Sequence, residues 1–135
     1  MLPALSKEKG QCLGLPDTCL TPAPPAPPVP IPYPNIGLLM SAKEESKKVK
    51  LCQVAALTEK SEIPSSQGDE AGTNGGVMSG KNMGKIIFKQ SSAKVKFEGA
   101  GAVCLSGTTG HNGSNANAPS GTTITPSQTD ILIQQ

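Results

Sequence analysis

The sequence predicts a small all-β body of short antiparallel strands and Gly/Pro-rich turns, with little helix. Three observations carry that reading. Between Pro22 and Pro34, eight of thirteen residues are proline. Glycine and proline together make 28 of 135 residues, above the usual share of roughly 12%. The apolar residues come in brief alternating runs such as Lys94-Val-Lys-Phe97-Glu98. The aromatic residues are Tyr33, Phe88 and Phe97, with no tryptophan, so the core must be thin. A thin core favours stabilisation by a staple or by docking onto another protein.

In chain order, residues 1–15 read as an N-terminal extension and Pro16-Asp17 as a turn. Each proline of the 22–34 run fixes φ, removes a donor and biases its predecessor away from helix. The run can be neither a helix nor an inner strand, and is expected as an extended polyproline II strap, about 3.1 Å per residue. Val29, Ile31 and Tyr33 alternate with prolines, which suggests an apolar side laid across the body with the Tyr33 hydroxyl finding a partner. Ser41 to Lys48 suits a short helix with Ser41 and Glu44 as a capping box, or equally a polar turn. Val49 and Leu51 alternate with Lys48 and Lys50 as in a half-exposed strand. Residues 58–68 are polar and contain Pro64 and Gly68, which predicts a loop.

The stretch 68–84 is dense in glycine, which signals tight turns and close backbone approach. Lys85 to Lys89 and Lys94 to Glu98 read as two strands, close enough to pair with each other, and Ala102 to Leu105 as a third. Residues 107–128 have little apolar content and read as irregular, and Ile131-Leu-Ile133 as a last strand or a fraying end. The domain organisation is then 1–15 as an extension, 16–112 as the body, and 113–135 as a C-terminal extension open to joining it.

Several chemistries are poorly served. All twelve basic residues are lysine, the net charge is +2, and there is no basic block, so a nucleic-acid partner is not expected. No apolar run reaches the ~20 residues of a membrane helix, and the N-terminus lacks a Sec pattern, so synthesis in the cytoplasm without stable membrane insertion is expected. Cys12, Cys19, Cys52 and Cys104 are read as free thiols or ligands rather than disulfides. Gly75-x4-Gly80-Lys81-Asn82 falls short of a phosphate loop, because Asn82 replaces the magnesium-binding hydroxyl. Asp69-Glu70 pairs two carboxylates on a polar loop, where solvated or turn-capping roles are usual. His111, the only histidine, lies seven residues after Cys104, which admits a zinc ligand pair, a Cys–His nucleophile or a surface histidine beside a buried thiol.

Four blocks together resemble the PAAR-like domain family, the spike-tip proteins of type VI secretion and related contractile injection systems. They are Pro16-Asp-Thr-Cys19-Leu-Thr-Pro with Pro30-Ile-Pro-Tyr-Pro-Asn35; Lys47-Lys-Val-Lys-Leu51; Ser66-Gln-Gly-Asp-Glu-Ala-Gly72 with Gly76-Val-Met-Ser-Gly-Lys81 and Gly84-Lys-Ile-Ile-Phe88; and Val95-Lys-Phe-Glu-Gly99 leading to Gly110-His-Asn112. The resemblance implies a pointed β-body, one copy capping a trimeric β-helical spike protein, which helps pierce the target envelope. It also implies recruitment of effector cargo or its chaperone, and export on the spike. In the family a zinc held by histidine and cysteine stiffens the apex. Here Cys104 and Leu105 stand where arginine and histidine are usual. The zinc ligands carried over are therefore Cys19, Cys104 and His111, with Cys104 as a substitute. No catalytic residue is implied, and the expectation is a non-enzymatic protein with a tail too short for a fused toxin. The alternatives are a small metal- or thiol-dependent effector enzyme delivered by such a system, and a proline-rich module read by a partner.

Overall fold

A computed structural model describes residues 2–134. It is all-β. In chain order the strands are β1 (Leu2–Pro3), β2 (Gln11–Ala23), β3 (Ala26–Leu38), β4 (Lys50–Leu51), β5 (Val54–Ala55), β6 (Glu62–Ile63), β7 (Ile86–Phe88), β8 (Lys96–Phe97), β9 (Ala100–Gly101), β10 (Thr108–His111), β11 (Ala118–Thr125) and β12 (Leu132–Ile133). A single 3₁₀ turn, Leu39–Ser41, follows β3. Six strands form one antiparallel sheet in the order β3-β2-β11-β10-β7-β6, and β1-β12, β4-β5 and β8-β9 form two-stranded ribbons.

The sheet is built on the long β2-β3 hairpin. Its register runs from Gln11 opposite Leu38 to Ala23 opposite Ala26, with an irregularity between Gly14 and Asp17. The proline run is thus not a free polyproline strap but a paired strand. It occupies the sheet edge, the one place where a strand without donors leaves no ladder bond broken on its outer side. Residues 26–32 are exposed, Val29 and Ile31 included, so the prolines face solvent instead of lying across the body. The Tyr33 hydroxyl does find a partner, 2.7 Å from Thr21 Oγ1 across the hairpin.

The other half departs further from expectation. Residues 107–128 supply β10 and β11, which lie in the interior of the main sheet. Their threonines suit a pleated surface as well as valine does, so low apolar content misled the reading. β7 pairs with β10 and β6, while β8 pairs with β9, so the two apolar runs at 85–89 and 94–98 do not form a hairpin. The 58–68 segment contains β6. Residues 102–105 form isolated bridges, Ala102 to Thr58 and Ala4 to Cys104. Ser41 to Lys48 is a turn region in which Glu44 has φ 59°, so the helix alternative is not taken. β12 pairs with β1, which closes the chain ends on each other.

Two apolar clusters lie beside the sheet. One gathers Leu5, Cys12, Leu39, Ala42, Leu57, Ile63, Ile86, Phe88 and Val103. The second gathers Ala4, Leu51, Ala56, Ala102, Cys104 and Ile133 under the ribbons. As alternation predicted, Leu51 is buried and Lys50 exposed.

Candidate functional site: a buried polar centre

The upper part of β2 faces a centre that is polar instead of aliphatic. Asp17 and Cys19 are two residues apart on one strand, so they share a face. Asn35 comes from β3, His111 from the end of β10, and Asn112 and Asn117 from the turn that follows. Ser66 and Asp69 come from the segment between β6 and β7. All eight side chains are buried, six of them with no measurable exposure.

β11 pairs with β2 only at Gln11, Cys12 and Leu13. Beyond that point the glycine-rich segment takes its place along β2. Val77 donates to Thr18 O (3.0 Å), Leu20 to Gly75 O (2.8 Å) and Asn74 to Leu20 O (3.1 Å). Its backbone can approach because its glycines carry no side chain. The glycine signal in the sequence thus marks the wall of this centre.

Asp17 is the hub. Its Oδ1 accepts from Asn112 Nδ2 (3.1 Å), from Asn117 Nδ2 and from the Cys19 thiol (3.5 Å). Its Oδ2 accepts from Asn35 Nδ2 (3.0 Å). Burial raises its pKa, but hydrogen bonds with Asp69, Asn117, Asn112 and Asn35 outweigh burial and hold the carboxyl below its usual range. Asp69 behaves oppositely. Burial and the neighbouring Asp17 push it up to about 6. Its Oδ2 accepts from the Met83 amide (3.2 Å) and from the Cys19 thiol (3.7 Å), its Oδ1 takes no bond from an amide, hydroxyl or thiol, and the two carboxyls share a hydrogen bond with each other. Its sequence neighbour Glu70 is exposed and caps the turn through Gly68 N (3.0 Å), so the two carboxylates have separate fates.

His111 is fully buried. The two Asn35 amide hydrogens go to Asp17 and Ser66, which leaves Asn35 Oδ1 as the acceptor for His111 Nδ1–H at 2.7 Å. Nε2 then accepts the Thr109 hydroxyl at 2.8 Å. Burial lowers its pKa to about 4, so the ring is neutral. A Cβ at Gly14 would meet the ring at 2.7 Å and one at Gly121 at 2.3 Å, so two sheet glycines make the slot that holds it. Both ring nitrogens are committed to the network.

The three residues carried over as zinc ligands are not brought together. Cys19 and His111 belong to the polar centre, where His111 has no nitrogen to offer. Cys104 lies in the second apolar cluster, bridged to Ala4. That ligand set does not fit a zinc ion, because one thiol is packed among aliphatic side chains and the imidazole is consumed by Asn35 and Thr109. The Cys–His nucleophile fails for the same reason. All four cysteines are free, and burial raises the thiols of Cys12 and Cys104. Among the described residues, Asp17, Cys19 and Asp69 are the group whose donor atoms lie within 4.8 Å of one another. Asp17 and Asp69 were missed as partners because fifty-two residues separate them in sequence.

An all-β body closed by a proline-edged hairpin around a buried Asp–Asn–His centre is the class that fold and site define. The chain belongs to the toxin PAAR-like domain family, whose model matches residues 10–118. The matched span includes all eight side chains of the centre. The chain is also 38% identical over 117 residues to the DNase toxin Tse7 of Pseudomonas aeruginosa, an alignment covering 82% of this chain and 30% of the relative. The chain therefore spans about a third of the length of that curated relative. No solved structure matches. The relative overturns one expectation from the sequence. A non-enzymatic protein was expected from the spike-tip resemblance, yet the relative is named as a DNase toxin. Residue types in this region report only on this region. Among the described residues no helix is long and apolar enough to cross a membrane.

Proposed function

We propose that this chain is the spike-borne portion of a DNA-degrading effector of a type VI secretion or related contractile injection system. The observation that carries the reading is the 38% identity to a DNase toxin across 82% of the chain. That likeness favours the effector-enzyme alternative over a purely mechanical tip. Features of the fold support loading on a spike. The hairpin is clamped along its length, and its proline edge offers no donors to stray strands. Leu15, Val29 and Ile31 on the hairpin and Val77 and Met78 on the adjoining segment remain exposed, which gives a partner apolar side chains to cover. One copy would cap one trimeric spike protein.

The test uses the natural full-length protein containing this chain. It is expected to co-elute with the trimeric spike protein at one copy per trimer, and to degrade plasmid DNA. No complex, or three copies per trimer, overturns the spike half. Intact plasmid under all divalent-metal conditions overturns the nuclease half.

A further inference from the structure

In an antiparallel pair, every second residue turns its amide and carbonyl away from the partner strand. Leu20 and Ile36 show which residues these are on the hairpin. The Leu20 amide donates to Gly75 O (2.8 Å) and its carbonyl accepts from the Asn74 amide (3.1 Å), both on the side away from β3. Ile36 exchanges bonds with Gln67 at 2.7 and 2.8 Å, on the side away from β2. Leu20 lies opposite Pro30 and Thr18 opposite Pro32, while Val29 and Ile31 face Thr21 and Cys19. Counted in twos from Ile36, the outward positions of β3 are Pro34, Pro32, Pro30 and Pro28. The next outward position on β2 after Leu20 is Pro22. Each edge is thus covered as far as its last outward amide. Beyond that, every outward position is a proline, which has no amide hydrogen. The tip from Thr21 to Pro32 offers carbonyls along its edges and no donor.

The same tip exposes Val29 and Ile31 among its proline rings. From Gln11 to Ala42 the only charged residue is Asp17, and it is buried. Exposed aliphatic groups on a surface free of charge mark a place that a partner covers. The carbonyl row defines what that partner brings. A strand added to this edge would leave its own carbonyls without donors, which is costly once water is excluded. A lysine or arginine pressed against it would find no carboxylate there to pair with. Neutral side-chain donors remain, namely amides, hydroxyls or an indole N–H, set among apolar groups as in grooves that read proline-rich segments. We infer that the hairpin tip, Thr21 to Pro32, is a recognition element gripped by neutral side-chain donors of a partner protein and not extended by strand addition. On the spike-borne reading above, on which this rests, that partner is the trimeric spike protein.

The experiment measures the affinity of the natural full-length protein for the trimeric spike protein by calorimetry. The double variant Val29→Ser with Ile31→Ser should bind more than about tenfold more weakly. Pro30→Ala and Pro32→Ala each restore one outward amide to the uncovered edge. Gripped by side-chain donors, that amide is buried facing another donor, and affinity should fall about tenfold. Under strand addition the same amide would find a carbonyl, and affinity would rise. Lys94→Ala, exposed and outside the hairpin, should bind as the parent does. Slow exchange of the Leu20 amide in each variant shows that the hairpin is still docked. If the parent binds but the Val29/Ile31 variant binds equally well, or the proline variants bind unchanged or more tightly, the inference is overturned and the spike reading stands. A parent that binds no spike protein overturns both.

Discussion

Around Leu57 and Ile63 the interior is held by aliphatic side chains, whereas around Asp17 it is held by a carboxylate, three amides and an imidazole. Both regions are fully buried. They differ in how a substitution is felt. The aliphatic cluster loses area and leaves a cavity, in proportion to what is removed. The polar centre loses partners, and each donor left behind is a new unsatisfied group. A chain with three aromatic residues cannot make its whole interior aliphatic. The polar centre is therefore specified by direction, not by volume.

The largest expected effect sharpens that contrast. Asp17→Ala removes the acceptor of one hydrogen each on Asn112, Asn117 and Asn35, although Asn112 keeps Lys81 O (2.8 Å) and Asn117 keeps Thr18 O (2.8 Å). A loss of about 4 kcal/mol is expected, enough to leave little folded protein at 37 °C. Leu57→Ala in the aliphatic cluster should cost about 3 kcal/mol. Urea unfolding of both variants checks the order. A milder loss for Asp17→Ala than for Leu57→Ala would mean that water enters the centre and replaces the carboxylate.

The two regions should also part in their response to acid. The aliphatic cluster does not titrate, but His111 does. Its folded pKa of about 4 lies below the ordinary value of about 6.5. Between these values the unfolded chain binds a proton that the folded chain refuses, so stability is full above pH 6.5 and falls as pH drops toward 4, by about 3 kcal/mol in all. Asp69, raised to about 6, tilts the other way, since its folded form keeps a proton that the unfolded form has lost. Comparison with His111→Gln cancels that contribution. The parent should lose about 2 kcal/mol more than the variant between pH 7 and pH 4.5. Parallel losses would mean that the imidazole is not enclosed.

How much of this was legible depends on whether a feature is local. The alternation at Val49 to Leu51 and the apolar run at Ile86 to Phe88 are local patterns, and both are strands. The proline run showed that it could not sit inside a sheet, but not that β2 would pair with it. The partner strand is Gln11–Ala23, which has no clean alternation and contains Pro16 and Pro22. β10 and β11 were hidden because their stabilising groups, Thr109, His111 and Thr123, are polar residues satisfied by one another and by distant partners. Of the centre, Cys19 and His111 were legible as unusual residue types. Asp17 was read as turn material, Asp69 as solvated, and Asn112 only as part of a motif. Their role comes from meeting across 52 to 95 residues, and periodicity carries no trace of that. Gly14 and Gly121 drew no reading in the sequence, and their use is to make room for an imidazole.

The smallest effect concerns the boundary between the polar centre and the exposed hairpin tip. Tyr33, opposite Asp17, and Thr21, opposite Val29, join their hydroxyls diagonally at 2.7 Å across the Cys19–Ile31 pair. Tyr33→Phe keeps the ring, which contacts the Gly72 wall, and removes one hydrogen bond at a partly buried site. The hydroxyl of Thr21 retains an acceptor in Cys19 O at 3.3 Å, so no group is left stranded. A loss of about 0.5–1 kcal/mol is expected, well below that of Asp17→Ala. Amide hydrogen exchange locates it. Faster exchange should be confined to Leu20 and its neighbours, where the glycine segment pairs with β2, while the amides near Gln11 and Cys12 stay protected. Acceleration along the whole of β2 would show that the tip and the centre open as one unit, which would remove the distinction between a directionally specified centre and a sheet clamped independently below it.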